Sequence, residues 1–362
     1  MNDNPNQETT PILKVAWQRY SQYDAFAVKR NRSQLRLRRW VAIIGVLATL
    51  FAIIVQIYGF RSNDILSWVF KVLLIISPIL GSILAAFSTK FYGNGDWLTL
   101  RAGAEEILKE IYNFRTILQD HADRRAYLEN RLQEIQRQVY RGMGGEVVMR
   151  PYTENLPPYY DSDNPHSDPG FKDLNGEEYF KYRVQNQLIY HTNRVNKFQR
   201  ERIRLQWFIL AAGGAGAFLA ALGGGFSLWV ALTASTTTAL IGWQELRNLD
   251  ASVRNYSKVI LELTITSDHW NNLETEERTN AEYYQMVQST ESILWSQNIE
   301  YIKSMQEALT GTKESEENLI DQVLKQSVEE DERLKESQDD SDQTLPTHSD
   351  QSLTQAQPIP NG

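Results

Sequence analysis

Hydroxyl side chains crowd into one apolar stretch of this sequence, at Thr233, Ser235, Thr236, Thr237 and Thr238. On a helix, Thr233, Thr236, Thr237 and Leu240 share a face, while Ser235 and Thr238 point elsewhere. Hydroxyls in such a setting either line water or bond back to the carbonyl one turn earlier. Gln56 is the lone strongly polar side chain of a second apolar block. Thr233, Thr236, Thr237, Leu240 and Gln56 are therefore the candidate pore-lining residues.

Catalytic chemistry finds no comparable foothold. The chain has no cysteine, which removes disulfides, thiolate metal ligands and thiol nucleophiles. Its histidines are scattered, and none stands at zinc-helix spacing from a second histidine or a carboxylate. Ser235 has no basic partner near it. The glycines at Gly142 to Gly145 read GMGG, without the G-x-G-x-x-G spacing, with no strand before them and with EVVMRP behind. His191 falls on an apolar seam, where a histidine is either packed or poised to sense pH. No enzyme activity, cofactor or metal is expected.

The elements that would position these residues follow from where the apolar residues lie. A length of 362 residues, a mean hydropathy of -0.44 and 23% charged residues would suit a soluble protein, but the apolar residues are gathered into four blocks. A hydrocarbon core about 30 Å thick takes roughly 20 apolar residues in helix to cross. The blocks fall at about 40–60, 66–87, 205–224 and 226–243. The connections inside each pair are short, Arg61 to Ile65 and Gly223 to Gly225, so each pair folds as an antiparallel hairpin. Lys and Arg cluster before the first block (Lys29, Arg30, Arg32, Arg36, Arg38, Arg39) and before the third (Arg194, Lys197, Arg200, Arg202, Arg204), while Arg61 alone marks the tips. By the positive-inside rule both termini and the middle segment are cytoplasmic, in an inner (plasma) membrane. Trp40, Trp68, Trp97, Trp207, Trp229 and Trp243 fall at the expected interfaces. The first block begins too far into the chain, and is too long, for a cleaved signal peptide.

Small residues suggest how the spans pack. Ala212, Gly216, Ala220 and Gly224 recur every four residues, with Gly213, Ala217, Ala221 and Gly225 beside them, and Ser77, Gly81 and Ala85 make a shorter row near Pro78. Such rows let a neighbouring helix approach closely.

The unit of basic helix, hairpin and polar helix occurs twice, each copy marked by a similar signature, WLTLR at Trp97 to Arg101 and WQELR at Trp243 to Arg247. Heptad seams follow: Leu100, Ala104, Ile107, Ile111 and Phe114 in the first, then Leu249, Val253, Tyr256, Ile260 and Leu263 in the second, with Leu128, Leu132, Ile135 and Val139 continuing the pattern. The expected fold is an all-α membrane protein, two transmembrane hairpins continued by long cytoplasmic helices in a coiled-coil-like bundle. The expected division is a first two-transmembrane unit at 1–140, a Pro/Gly-rich linker at 141–177, a second unit at 178–310 and an acidic, mostly disordered tail at 311–362.

The run EYFKYRVQNQLIYHTNRVNKFQRERIRLQWF from Glu178 to Phe208, followed by a hairpin and WQELRNLDASVRNYSKVILELT, resembles the SLATT domain, the two-transmembrane effector domain associated with SMODS nucleotide synthases and SLOG sensors. RAGAEEILKEIYNFRT from Arg101 to Thr116 makes the first copy similar to it as well, so about Trp17 to Trp270 looks like a tandem pair. The resemblance implies a bacterial membrane effector that forms a pore or disrupts the membrane when a cytoplasmic partner senses a nucleotide signal, often against phage. It implies no catalytic residues. The expected partners are the lipid bilayer, further copies of the chain and such a sensor, and no nucleic acid. The expected function is an oligomeric pore or channel gated through its bundle; the alternative is a membrane-anchored scaffold that recruits cytoplasmic proteins without conducting.

Overall fold

A computed structural model describes residues 11–58, 65–92, 96–143, 149–164 and 167–307. Helix α1, Pro11–Tyr58, runs unbroken for 48 residues, about 72 Å at the α-helical rise. Its first half places Leu13, Ala16, Trp17, Tyr20, Tyr23 and Ala27 at three- and four-residue spacing, and all are buried. Its second half is apolar all round and leaves Trp40, Ile43, Leu47 and Ile57 exposed. A helix of that composition suits lipid, because water would leave a large apolar surface uncovered.

Helix α2, Ile65–Tyr92, packs along α1 and continues through Pro78. Helices α3, Asp96–Arg115, and α4, Arg124–Gly142, form a polar hairpin joined by turns at 116–123. Short helix α5, Gly176–Tyr179, begins at a reciprocal cap in which the Asn175 side chain accepts from the Glu178 N–H at 2.9 Å and the Glu178 carboxylate accepts from the Asn175 N–H at 3.2 Å. It leads through a π-helical segment, Phe180–Gln185, into α6, Asn186–Leu222. The chain reverses at Gly223 and Gly224, whose φ of 64° and 56° favour glycine. Helix α7, Ser227–Arg247, then packs back on α6. Asn248 breaks the line with a left-handed φ of 44°, a conformation asparagine tolerates, before α8, Leu249–Asn272, and a further helix, α9, over 280–307.

The described residues contain no strand, and four of the helices are long and apolar enough to cross a membrane. The hairpins α1–α2 and α6–α7 touch each other through α1 and α7. The polar helices gather into a bundle around one main core, to which α1 gives Trp17 and Tyr20, α3 gives Ile107 and Ile111, α4 gives Leu132, and the later helices give Tyr179, Trp270 and Val287. A second cluster brings the two signatures together: Trp97 and Leu98 are buried with Leu246, Ile302 and Met305, and Trp243 packs on their edge. Trp97 thus lies inside protein, 5% exposed, instead of at an interface, because α3 turns it toward α9.

On α3 the seam residues Leu100, Ala104, Ile107, Ile111 and Phe114 are all buried. The later pattern at Leu128, Leu132, Ile135 and Val139 is buried too, on α4 after the chain has doubled back. On α8, Leu249 and Leu263 are buried and Tyr256 is half-buried, but the intervening buried positions are Ser252 and Val259, with Val253 and Ile260 half-buried beside them. A helix pressed between α6 and α9 buries an arc wider than a two-position seam.

Residues 149–164 and 167–175 form no long helix, yet they contribute to the core. Asp168 and Leu174 are 1% exposed, and the Trp17 indole donates to the Gly170 carbonyl at 2.7 Å. The acidic tail at 311–362, the hairpin tip at 59–64 and residues 144–148 lie outside the described residues.

Candidate functional site in the paired hairpins

The hydroxyls of α7 are turned onto their own helix. Thr233, Thr236 and Thr237 donate to the carbonyls of Val230, Leu232 and Thr233, each at 2.8 Å. All three side chains are half-buried, as is Leu240, whereas Gln56 on α1 is exposed. Thr233 also packs tightly on α6, since a Cβ at Gly216 would stand 2.7 Å from its Oγ1. Ser235 faces the other hairpin, where it accepts from Thr49 Oγ1 of α1 at 3.3 Å. Thr238 is exposed.

The small-residue rows divide between inside and outside. Gly216 is buried and Ala212 half-buried against α7, while Ala220 and Gly224 are exposed toward the turn. The neighbouring row, Gly213, Ala217, Ala221 and Gly225, is exposed throughout. On α2, Ser77 is buried and Gly81 and Ala85 half-buried, and a Cβ on Gly81 would meet Ile44 of α1 at 3.5 Å.

Past the apolar segments, ion pairs tie the helices together. Arg247 at the end of α7 holds Glu201 of α6 through two bonds of 3.1 and 2.9 Å, and Arg202 reaches Asp250 of α8 at 3.0 Å. Arg30 of α1 pairs with Asp96, and Arg101 of α3 with Asp24. Deeper in the bundle two pairs are almost wholly enclosed. Arg183 donates to both Glu291 oxygens at 2.8 and 2.9 Å, and Arg115 to both Asp168 oxygens at 2.6 and 2.7 Å. Arg183 sits in the π-helical segment, a helical irregularity that often marks functional positions. Burial is the largest single influence and works against its charge, but Glu291 together with Tyr112 and Tyr179 outweighs it, so its pKa stands well above the ordinary guanidinium value. Sequence reasoning missed both pairs: their members stand 108 and 53 positions apart, and no spacing rule reaches so far.

His191 on α6 is 2% exposed, with the rings of Tyr190 and Tyr256 each 5.2 Å away. Burial first, and then the nearby Arg183 and Arg194, push its pKa from 6.5 down to about 4. The unfolded chain therefore binds a proton that the folded chain refuses. Stability associated with the neutral ring is complete above about pH 6.5 and is lost as the pH falls toward about 4. Between about pH 8 and about pH 5 the melting temperature of the native chain should fall further than that of a His191→Phe variant, which has no proton to bind there. Equal falls in scanning fluorimetry would show that other groups set the acid response.

Residues 179–300 match the family model of the SMODS and SLOG-associating 2TM effector domain 1. The matched stretch holds the π-helical segment, the α6–α7 hairpin, α8 and most of α9, the part expected to be the second copy; the part expected to be the first lies outside the match. No curated protein and no solved structure matches the chain.

Proposed function

With residues 179–300 a SMODS and SLOG-associating two-transmembrane effector domain, we propose that the chain is an oligomeric membrane effector that conducts ions and is gated through its polar bundle. It acts without catalysis, in the inner membrane, with its bundle and both termini in the cytoplasm. Its place is a nucleotide-signalled stress or phage-defence response in which a cytoplasmic partner senses the signal.

The observation that carries this reading is the continuity of the helices. Helix α1 passes from the bundle core at Trp17 to the apolar segment beyond Trp40 without a break, and α6 passes likewise from His191 to Leu222. A shift of packed bundle helices is therefore carried along rigid rods into the spans. The exposed row Gly213, Ala217, Ala221 and Gly225 offers a surface for close approach by a neighbouring copy.

The test is conductance in planar bilayers together with subunit counting in nanodiscs by mass photometry. A defined ring-forming oligomer with discrete current steps is expected. Replacing Thr233, Thr236 and Thr237 together by Val should lower unit conductance severalfold by drying the conducting face. The fold should lose only about 1 kcal/mol or less per site, because each hydroxyl bonds its own helix. A strictly monomeric particle would sink the proposal, since four short helices with one weakly polar face cannot enclose an ion path.

One observation favours the second reading, a membrane-anchored scaffold without conductance. The α7 hydroxyls are satisfied by backbone carbonyls, and Thr233 is pressed on Gly216. A scaffold leaves bilayers silent in both the native and the valine-substituted forms.

A further inference from the structure

A cavity of about 410 Å³ lies among α1, α3, α6, α8 and α9, within the size range of small-ligand sites. Its lining is strongly biased in charge. Cationic side chains reach it from several helices, and Glu105 is the lone carboxylate among the lining residues. Of those cations, Arg101 is answered by Asp24 and Glu105, Arg183 by Glu291 and Arg247 by Glu201. Arg32, Arg194 and Lys197 also line the cavity, and none of them has a carboxylate partner among the described residues. Arg32 and Lys197 are exposed, and half-buried Arg194 lies over the Tyr190 ring, 5.0 Å from its centre, so positive charge without a carboxylate stands where a ligand would enter.

The second observation is independent of charge. His191 lines the same cavity at 2% exposure, and neither of its ring nitrogens has a hydrogen-bond partner. A buried polar group left unmatched is destabilising, and native proteins rarely leave one without a reason. Gln297 and Asn298, 8% and 7% exposed, also line the cavity. Flat apolar surface is available beside them, with Tyr256 lying 5.2 Å from His191 and 5.6 Å from Phe198.

We propose that this cavity binds a phosphate-bearing small molecule, its phosphate held by Arg32, Arg194 and Lys197 and its uncharged part meeting His191, Gln297 and Asn298. Guanidinium groups bind phosphate oxygens in a two-pronged geometry that water does not match, and an ammonium adds a point charge. The ligand would bridge α1, α6 and α9, joining the first unit of the chain to the second. The inference stands whether or not the spans conduct. A soluble phosphate ester and the headgroup of an anionic lipid share this chemistry, so the test has two arms.

The full chain is placed in phosphatidylcholine nanodiscs, and binding of AMP and of inorganic phosphate is titrated and followed by thermal shift. In the second arm phosphatidylglycerol is introduced into the nanodiscs. Saturable AMP binding with a raised melting temperature is expected, weakened at least about tenfold by Lys197→Glu and by Arg194→Met with Lys197→Met. Lys197 is exposed, so its charge reversal leaves the fold intact. Lys258→Met, which removes a cation paired with Glu300 away from this cavity, should leave binding unchanged. Stabilisation by phosphatidylglycerol alone, lost in the same variants, supports the site with a lipid as its source. Absence of saturable binding in both arms, or binding indifferent to Lys197→Glu and to the double variant, overturns the proposal. Inorganic phosphate binding as tightly as AMP overturns the role given to His191, Gln297 and Asn298.

Discussion

Glu291→Gln is expected to cost about 3–5 kcal/mol, the usual penalty for stranding one member of an enclosed ion pair. For a helical unit of this size that is a fall of about 10 °C in melting temperature. The carboxylate is 2% exposed and Arg183 4% exposed. Beyond its two bonds to Arg183, Glu291 accepts from the Tyr179 hydroxyl at 2.9 Å. Arg183 in turn lies over the Tyr112 ring, 4.3 Å from its centre. Glutamine keeps the shape and removes the charge, which leaves a guanidinium only 4% exposed without its counter-charge. The double variant Arg183→Met with Glu291→Leu should recover most of the loss, because both desolvation costs then vanish. A Glu291→Gln protein melting within about 1 °C of the native chain would mean that the pair does not hold α9 to the π-helical segment.

Asp168→Asn should free the irregular segment at 149–175 and cost a similar amount, about 3–5 kcal/mol. Arg115 is fully buried, and besides its two bonds to Asp168 it donates through Nε to the Lys172 carbonyl at 2.8 Å. Asp168 also accepts from the Gly170 N–H at 2.8 Å. The Leu174 N–H donates to the Arg115 carbonyl at 2.8 Å, and the Tyr283 hydroxyl donates to the Leu174 carbonyl at 2.6 Å. The aspartate therefore fastens a stretch with no regular ladder of its own onto α3, while Tyr283 ties its far end to α9. Limited trypsin digestion reads the result directly, since Arg150 and Lys172 stand in or beside the segment. Cleavage there should accelerate at least about tenfold, in proportion to the open population. An unchanged digestion rate would show that the Trp17 bond to Gly170 and the packing of Leu174 suffice without the ion pair.

Several features were legible before the fold was known because their signals are local. An apolar run of about 20 residues has few ways to satisfy its backbone except as a membrane helix, and the structure has four helices of that kind. The line Leu100, Ala104, Ile107, Ile111, Phe114 is a period on a single helix, and α3 buries all of it. The resemblance carried by Glu178 to Phe208 and the residues after it falls, from Tyr179 on, within the matched family segment.

What sequence alone determined about this protein is thus what repeats along one helix: where the apolar segments lie, which stripe turns inward, and which family the second unit is similar to. Tertiary structure decided what depends on neighbours. It put Ser252 and Val259 on the buried line of α8, because two helices press on that one. It folded 149–175 into the core through Asp168, and turned the α7 threonines onto carbonyls of their own helix. It also gathered Arg32, His191 and Asn298 around one cavity. Periodicity records only how a residue sits on its own helix; a charge pair or a cavity wall assembled from residues about a hundred positions apart leaves no period to read, because the chain must first fold to make those residues neighbours.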